Sequence, residues 1–475
     1  MIDADNFVVS PIETPGLVHV PSLTTESARA TEDLLKGNNQ KYHIFFTLED
    51  HMGVYLHNHI AHHELTLWAC GATPEQLRRH YERNALYMRD ATIIVEPLVL
   101  DLEDDALFTR CLGKEEHYRN FEMFFLNMFK KIGWQATLQK YLLDRSPLAD
   151  DMMFRLYMGY VHGLIHVGLA LEFRQLRLLA EGLAQAAVHH DDWYIEYLSA
   201  AEAAATEAQE SPLPLSTLVD MVHEDPKIST ASSWTFQTQT RAHSGRWAMD
   251  KEVARDGILR NAKPELVRLA ARWRVVDNPD NEGGALTDEY LERKTAELIN
   301  TAVYIAAAAQ NPPYQCAFDF FLLHCATASI AHAAILREQS ITREQKARLL
   351  EYSGRVFLMT YSGMGAPQLR LDYLASHRSR LGPGQGWPEV FARACEHADD
   401  GHMIKLIRST KLAEEMSRPY DARPEFRVKQ PMFLQAGIAM IDSGTQRPMT
   451  WTKHWDFIRF CGFPEAWERF PKRDY

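Results

Sequence analysis

The sequence predicts an all-α fold, a large helical bundle without a regular repeat. Three observations carry that reading. Apolar residues recur at i, i+3 and i+4 along most of the 475 residues, convincing strand alternation is absent, and the gaps between periodic segments hold helix-capping residues. No unit of fixed period returns along the chain, which argues against a solenoid.

Periodic segments run over residues 26–35, 59–70, 73–88, 120–131, 149–181, 288–308, 318–337, 342–361 and 401–416. Between the second and third, Gly71 ends one helix, Thr73 caps the next, Pro74 takes its first position and Glu75 its first turn. Asp399 and Asp400 stand where they would cap the helix of 401–416. The stretch 224–245 is rich in Ser and Thr and has no helical period. Its Trp234 and Phe236 suit a lid or packed loop better than a spacer. Gly-Pro-Gly-Gln-Gly within 378–387 predicts a tight turn.

Composition bounds the partners. Hydrophobic residues at 46% and aromatics at 11% supply a sizeable core, and the length alone would suit two or three domains. A net charge of −12 argues against a nucleic-acid partner, because phosphates need a basic face. The 6 cysteines contain no CxxC pair, so they fit reduced thiols rather than a zinc ribbon or disulfide framework. Acidic residues precede the first apolar stretch where a secretory signal would be basic, and no run reaches the length of a membrane span. The expectation is a cytoplasmic protein without a membrane partner.

The 21 histidines are the chemical signal. They crowd into His57-Asn58-His59-Ile60-Ala61-His62-His63, His162-Gly163-Leu164-Ile165-His166, the apolar run around His324, and Asp400-Gly401-His402-Met403-Ile404-Lys405. Imidazole is the commonest metal ligand, so one buried metal site assembled from these segments is the leading reading. His162 and His166, at i and i+4, share a helix face and could converge on one ion. A hydrogen-bonded core pair has the same spacing. His402 and Lys405 share a face in the same way, as would a solvated lysine. His324 sits among apolar residues, where its ring must be hydrogen-bonded or ligating. His57, Ala61, Glu64 and Trp68 trace one helix face, His59, His63 and Thr66 another.

In order along the chain, HNHIAHH, LWACGATPEQL, GYVHGLIHVGLALEF, DFFLLHCAT, DDGHMIKLIR and FCGFPEAW resemble the questin oxidase-like family of fungal polyketide pathways, from about residue 50 to 470. The resemblance implies a single all-helical domain over 1–475, with a lid or loop at 224–245. It implies a flavin-free, non-haem Fe(II) oxygenase that uses O2 on the quinone ring of a hydroxylated anthraquinone-type polyketide in secondary metabolism. The metal ligands it implies are His57, His166, His324, His402 and Lys405, the lysine carboxylated by CO2, with His59, His62 and His162 as alternative or supporting groups. Two residues depart from the family pattern: Glu64, where an apolar residue is usual, and Gly163, where a proline is common.

Carboxylation needs an uncharged amine, which burial beside a metal favours. The anionic carbamate would then offset the charge of an Fe(II) otherwise held by neutral imidazoles. His397-Ala398-Asp399 spells the HxD of a facial triad, but Asp399 reads better as a helix cap. Candidate walls of an aromatic pocket are Trp68, Tyr160, Phe321 and Trp387, each equally readable as core. No GxGxxG follows a strand, which argues against a flavin. Dioxygenase and Baeyer–Villiger-like monooxygenase outcomes both remain open, with NADPH or a reductase partner as the electron source of the second. Two other classes stand beside this one: an HD-type metal-dependent phosphohydrolase using His190-Asp191, and a non-catalytic helical scaffold.

Overall fold

Thr24, Thr73, Thr287 and Thr342 each turn a side-chain oxygen onto the first backbone N–H groups of a helix, and the fold is built from such segments. The computed structural model describes residues 6–46, 56–234, 252–281, 283–445 and 457–475. Helix makes up 64% of it, and the one hairpin among the described residues pairs β1 (Phe45–Phe46) with β2 (Leu56–His57), so the all-α expectation holds. Two compact units are present. One comprises Met1–Glu196, Ala333–Ile341 and Ala398–Gly401; the other comprises Tyr197–His332, Thr342–His397 and His402–Tyr475.

In the first unit the main helices are α1 (Thr25–Lys41), α2 (Ile60–Ala69), α3 (Pro74–Ala85), α4 (Tyr118–Ile132), α5 (Pro147–Leu156), α6 (Met158–Glu172) and α7 (Leu176–Val188). The Gly71-to-Glu75 punctuation forms as predicted, with a reciprocal Thr73 and Gln76 capping box. The periodic run 149–181 does not form one helix. It breaks at Gly159, Tyr160 and Val161 (φ 57, 54 and 61°) and again at Arg174 (φ 56°), giving α5, α6 and α7. The apolar pattern is helical on both sides of each break, so period alone conceals the reversals that let these helices pack on one another. Left-handed backbone costs about 1–2 kcal/mol at each non-glycine residue, most for a β-branched one such as Val161. Gly182 lets α7 approach α6 closely: a Cβ there would lie 2.9 Å from Val167 Cγ2 and 3.0 Å from Val167 N.

In the second unit the site-bearing helices are α8 (Asp288–Ala308), α9 (Leu322–Arg337), whose residues as far as His332 belong here, α10 (Arg343–Gly363), α11 (Trp387–Glu396), α12 (His402–Ser417) and α13 (Gln430–Thr445). Asp319, fully buried, starts α9 by accepting from the N–H groups of Phe321 (2.7 Å) and Leu322 (3.1 Å). The apolar face of α12 packs between α8 and α13. Of the stretch 224–245, residues 235–245, including Phe236, lie outside the described residues. Asp225 caps the short helix Pro226–Ser229, and Trp234 lies 6.2 Å from Phe463. No helix among the described residues is long and apolar enough to cross a membrane.

Candidate metal centre

In the first unit the left-handed stretch at the start of α6 delivers His162 onto His59. The two rings are coplanar within 4° and their Nε2 atoms stand 2.7 Å apart. The opposite nitrogens face acceptors: His59 Nδ1 is 3.0 Å from Asp400 Oδ2 and His162 Nδ1 is 2.5 Å from the Gly159 carbonyl. A carboxylate and a carbonyl accept only, so both Nδ1 atoms donate and, in neutral rings, the two Nε2 lone pairs confront each other. That arrangement is repulsive unless a proton is shared between them, or the rings part to admit a metal ion, which would hold each nitrogen at about 2.0–2.1 Å. The donor set therefore fits a metal.

His57 and His189 form a second contact, with Nε2 atoms 2.9 Å apart. His189 Nδ1 donates to the Arg155 carbonyl (3.1 Å), which leaves its Nε2 to accept from His57. Burial lowers the His189 pKa to about 3, so the ring is neutral. The His57 ring stacks on His162 at 3.8 Å and 8°. Gly159 makes room for both rings, since a Cβ there would lie 2.7 Å from His57 Nε2 and 2.8 Å from His189 Nε2.

A third chain runs deeper. His62 Nε2 meets His166 Nδ1 at 2.9 Å, and His166 Nε2 donates to Glu181 Oε2 at 3.1 Å. Asn39 Nδ2 bridges Glu181 (2.5 Å) and Glu122 (2.7 Å), while Arg119 donates to Glu122 and Arg177 Nε to Asn39 Oδ1. A carboxylate behind an imidazole fixes its tautomer and strengthens it as a ligand. Here it directs the His166 lone pair through Nδ1 toward His62.

In the second unit His324 Nδ1 donates to the Phe320 carbonyl (2.7 Å), and its Nε2 faces His402 Nε2 at 3.3 Å. Both rings are 2% exposed, and Lys405, one turn along α12, is 4% exposed, an unusual depth for lysine. Buried imidazoles among the described residues could hold a metal ion.

The remaining predicted residues fall in different surroundings. Trp68 is fully buried near Phe173, and Phe321 is fully buried between Phe460 and the Arg459 guanidinium. Tyr160 lies buried in the left-handed stretch at the start of α6. Trp387 is half-buried and donates to Glu414 (3.0 Å). Glu64 is fully buried, and burial lifts its carboxyl well above the usual range. Of the two acids ahead of α12, Asp399 accepts from Gly401 N, whereas Asp400 faces His59. His190, of the HD dipeptide, is exposed.

Sequence reasoning does not single out His189 or Glu181. The latter had a signal, being the one acidic residue in the apolar α7. His189 had none, because its neighbours His190, Asp191 and Asp192 are polar.

Clustered, tautomer-locked imidazoles buried on a helical scaffold could hold a metal ion. Residues 56–410 match the questin oxidase-like family. The chain is 32% identical to oxidoreductase AflY of Aspergillus parasiticus over 98% of this chain and 93% of that protein. It is 32% identical to Baeyer-Villiger oxidase GME11358 of Pestalotiopsis microspora (95% and 96%), and 33% identical to questin oxidase of Aspergillus fumigatus (93% of each). The chain belongs to the questin oxidase-like family, a family of oxidoreductases.

Proposed function

We propose that this oxidoreductase is a non-haem iron oxygenase that cleaves the quinone ring of a hydroxylated anthraquinone-type polyketide in secondary metabolism. The observation that carries the metal is the confrontation of His59 and His162 Nε2 with both Nδ1 atoms committed to acceptors. The substrate class rests on relatives named questin oxidase and Baeyer-Villiger oxidase. Iron, when bound, would supply O2 activation.

The ligand set proposed from the family resemblance is His57, His166, His324, His402 and Lys405, with His59, His62 and His162 as alternatives. Within the first unit, the lone pairs of His59 and His162 face each other, whereas His57 stacks on His162 and turns its Nε2 to His189. Glu181 orients His166 and Asp400 orients His59. Lys405 is buried, and burial favours an uncharged amine. Its nitrogen can then attack CO2 and release a proton, leaving a carbamate oxygen as an anionic ligand.

The test is iron content and intact mass of protein purified without chelator. About one iron per chain with a carboxylated Lys405 is expected for the wild type, and loss of the metal in Lys405→Ala and His324→Ala. Metal retained in both variants would refute this ligand set. Turnover of a hydroxyanthraquinone under 18O2 then tests the reaction: two labelled atoms in the product mark a dioxygenase, one a monooxygenase drawing electrons from NADPH or a reductase, and none overturns the oxygenase reading.

A further inference from the structure

His189 has none of the ligand roles assigned above, yet one residue ties it down at both its ring and its backbone. Its Nδ1 donates to the Arg155 carbonyl at 3.1 Å, and the Arg155 guanidinium returns a hydrogen bond to the His189 carbonyl. Asp151 Oδ1 in turn accepts from Arg155 Nε at 2.8 Å. Arg155 lies in the last turn of α5 and His189 caps the C-terminus of α7, so the ring is fixed to two helix ends.

A ring held in this way has a defined polarity. Burial to 3% exposure keeps it neutral, and a neutral imidazole that donates through Nδ1 accepts only through Nε2. The atom that meets His189 Nε2, at 2.9 Å, is His57 Nε2, which must therefore carry a proton. A neutral His57 then keeps its lone pair on Nδ1. The surroundings hold His57 in that pose. The β1–β2 register sets it opposite Phe45, whose ring meets it edge-on at 5.3 Å and 76°, and the His57 ring stacks on His162 at 3.8 Å and 8°. Gly159 lies against the hydrogen bond between the two rings, where a Cβ would come within 2.7 Å of His57 Nε2 and 2.8 Å of His189 Nε2.

We infer that His189 is a positioning residue for the metal centre: by accepting the Nε2 proton of His57, it fixes the tautomer in which His57 offers Nδ1 to the metal. This role presupposes His57 as an iron ligand, as proposed above, and adds to it the ligating atom and the group behind it. Metal-bound histidines almost always donate their other N–H to an acceptor. At His166 that acceptor is the Glu181 carboxylate, whereas at His57 it is a second imidazole, itself backed by the Arg155 carbonyl. Both histidines are thus anchored through Nε2 and keep Nδ1 for the ion.

The affinity of the full chain for Fe(II) and for Zn(II), measured by chelator competition, tests this with two variants of similar volume. In His189→Gln the amide NH2 can replace Nδ1–H on the Arg155 carbonyl while the oxygen accepts from His57 Nε2; His189→Leu fills the same space with no acceptor. Affinity should fall about 10–100-fold in His189→Leu and stay close to the wild type in His189→Gln. In a His57→Ala background the difference between the two should vanish, because the residue being positioned is gone. 15N NMR of the histidines should find the His57 proton on Nε2 in the wild type and in His189→Gln, and shifted toward Nδ1 in His189→Leu. Equal affinities in the two variants, whether both high or both low, overturn the role of His189. So does a His57 proton on Nδ1 in the wild type, a measurement that stands even where a variant does not fold. A wild type that binds neither ion refutes the metal centre itself, and the role of His189 with it.

Discussion

In the first unit the rings of His57, His59, His62, His162, His166 and His189 lie in mutual contact, and their outer nitrogens lean on Asp400, the Gly159 and Arg155 carbonyls, and Glu181. In the second unit His324 and His402 face each other at the longer distance of 3.3 Å, with Lys405 one turn away. The first arrangement spends backbone strain and buried carboxylates on fixing tautomers. The second leaves a lysine at a depth where it can change chemistry. A preorganised nest and an adaptable pair call for different perturbations, and these should separate them.

Gly159→Ala should act most strongly. Its φ of 57° disfavours any side chain, and the added Cβ would stand 2.7 Å from the His57 ring and 2.8 Å from His189. Left-handed strain and overpacking together predict a loss of roughly 2–4 kcal/mol. Thermal unfolding of the metal-free protein would register it. An unchanged Tm would mean that the nest is not preorganised in the way its geometry implies.

Glu181→Gln should come next. Asn39 is pinned by Arg177 and Glu122, so its amide N–H must meet the carboxamide oxygen of the substituted side chain. The new NH2 then faces His166 Nε2 and drives the proton to Nδ1, the wrong tautomer for a ligand directed toward His62. Loss of such a partner lowers metal affinity about 10–100-fold. Competition with a chelator measures this, and 15N NMR of the histidines reads the tautomer directly. Normal iron affinity with an unaltered tautomer would remove Glu181 from the site.

How much of this was legible beforehand depends on what kind of signal each part leaves in sequence. Helices α2, α3, α9, α10 and α12 announce themselves by period and caps, because burial on one face and satisfied N–H groups both need particular residues at fixed offsets. The breaks at Gly159 and Arg174 do not, since the residues on either side remain apolar and helix-compatible. The histidine clusters drew attention because imidazole is rare on buried faces. Their pairing was hidden: His59 with His162 and His57 with His189 are contacts across more than a hundred residues, which no local spacing encodes. Lys405 could be flagged through the family pattern, whereas its burial could only be seen in the fold.

Acidification sharpens the contrast from the second unit. His332 is fully buried, its Nε2 paired with Ser353 Oγ at 2.6 Å, and burial lowers its pKa from 6.5 to about 3. Its contribution to stability is complete above pH 6.5 and falls as the pH drops toward 3, because the unfolded chain takes up a proton that the native ring refuses. The slope from this one group approaches about 1.4 kcal/mol per pH unit. Denaturant melts between pH 6 and pH 5 should show a shallower loss in His332→Gln by about 1 kcal/mol. An identical slope in both proteins would place the acid-labile group elsewhere.

Asp400→Asn should have the smallest effect, although it changes the same kind of contact as Glu181→Gln. Both carboxylates accept from an imidazole, but Asp400 has 31% of its side chain exposed and Glu181 has 2%. An exposed amide can rotate to present its oxygen to His59 Nδ1 and turn its NH2 to water, so the Nδ1 donor tautomer survives. Solvent also screens the lost charge. Iron affinity should therefore fall only a few-fold, less than about 1 kcal/mol, against the larger loss at position 181. The same chelator competition ranks the two. If Asp400→Asn matched or exceeded Glu181→Gln, the His59 end of the nest would be the one that grips the metal, and the Glu181 chain would serve packing alone.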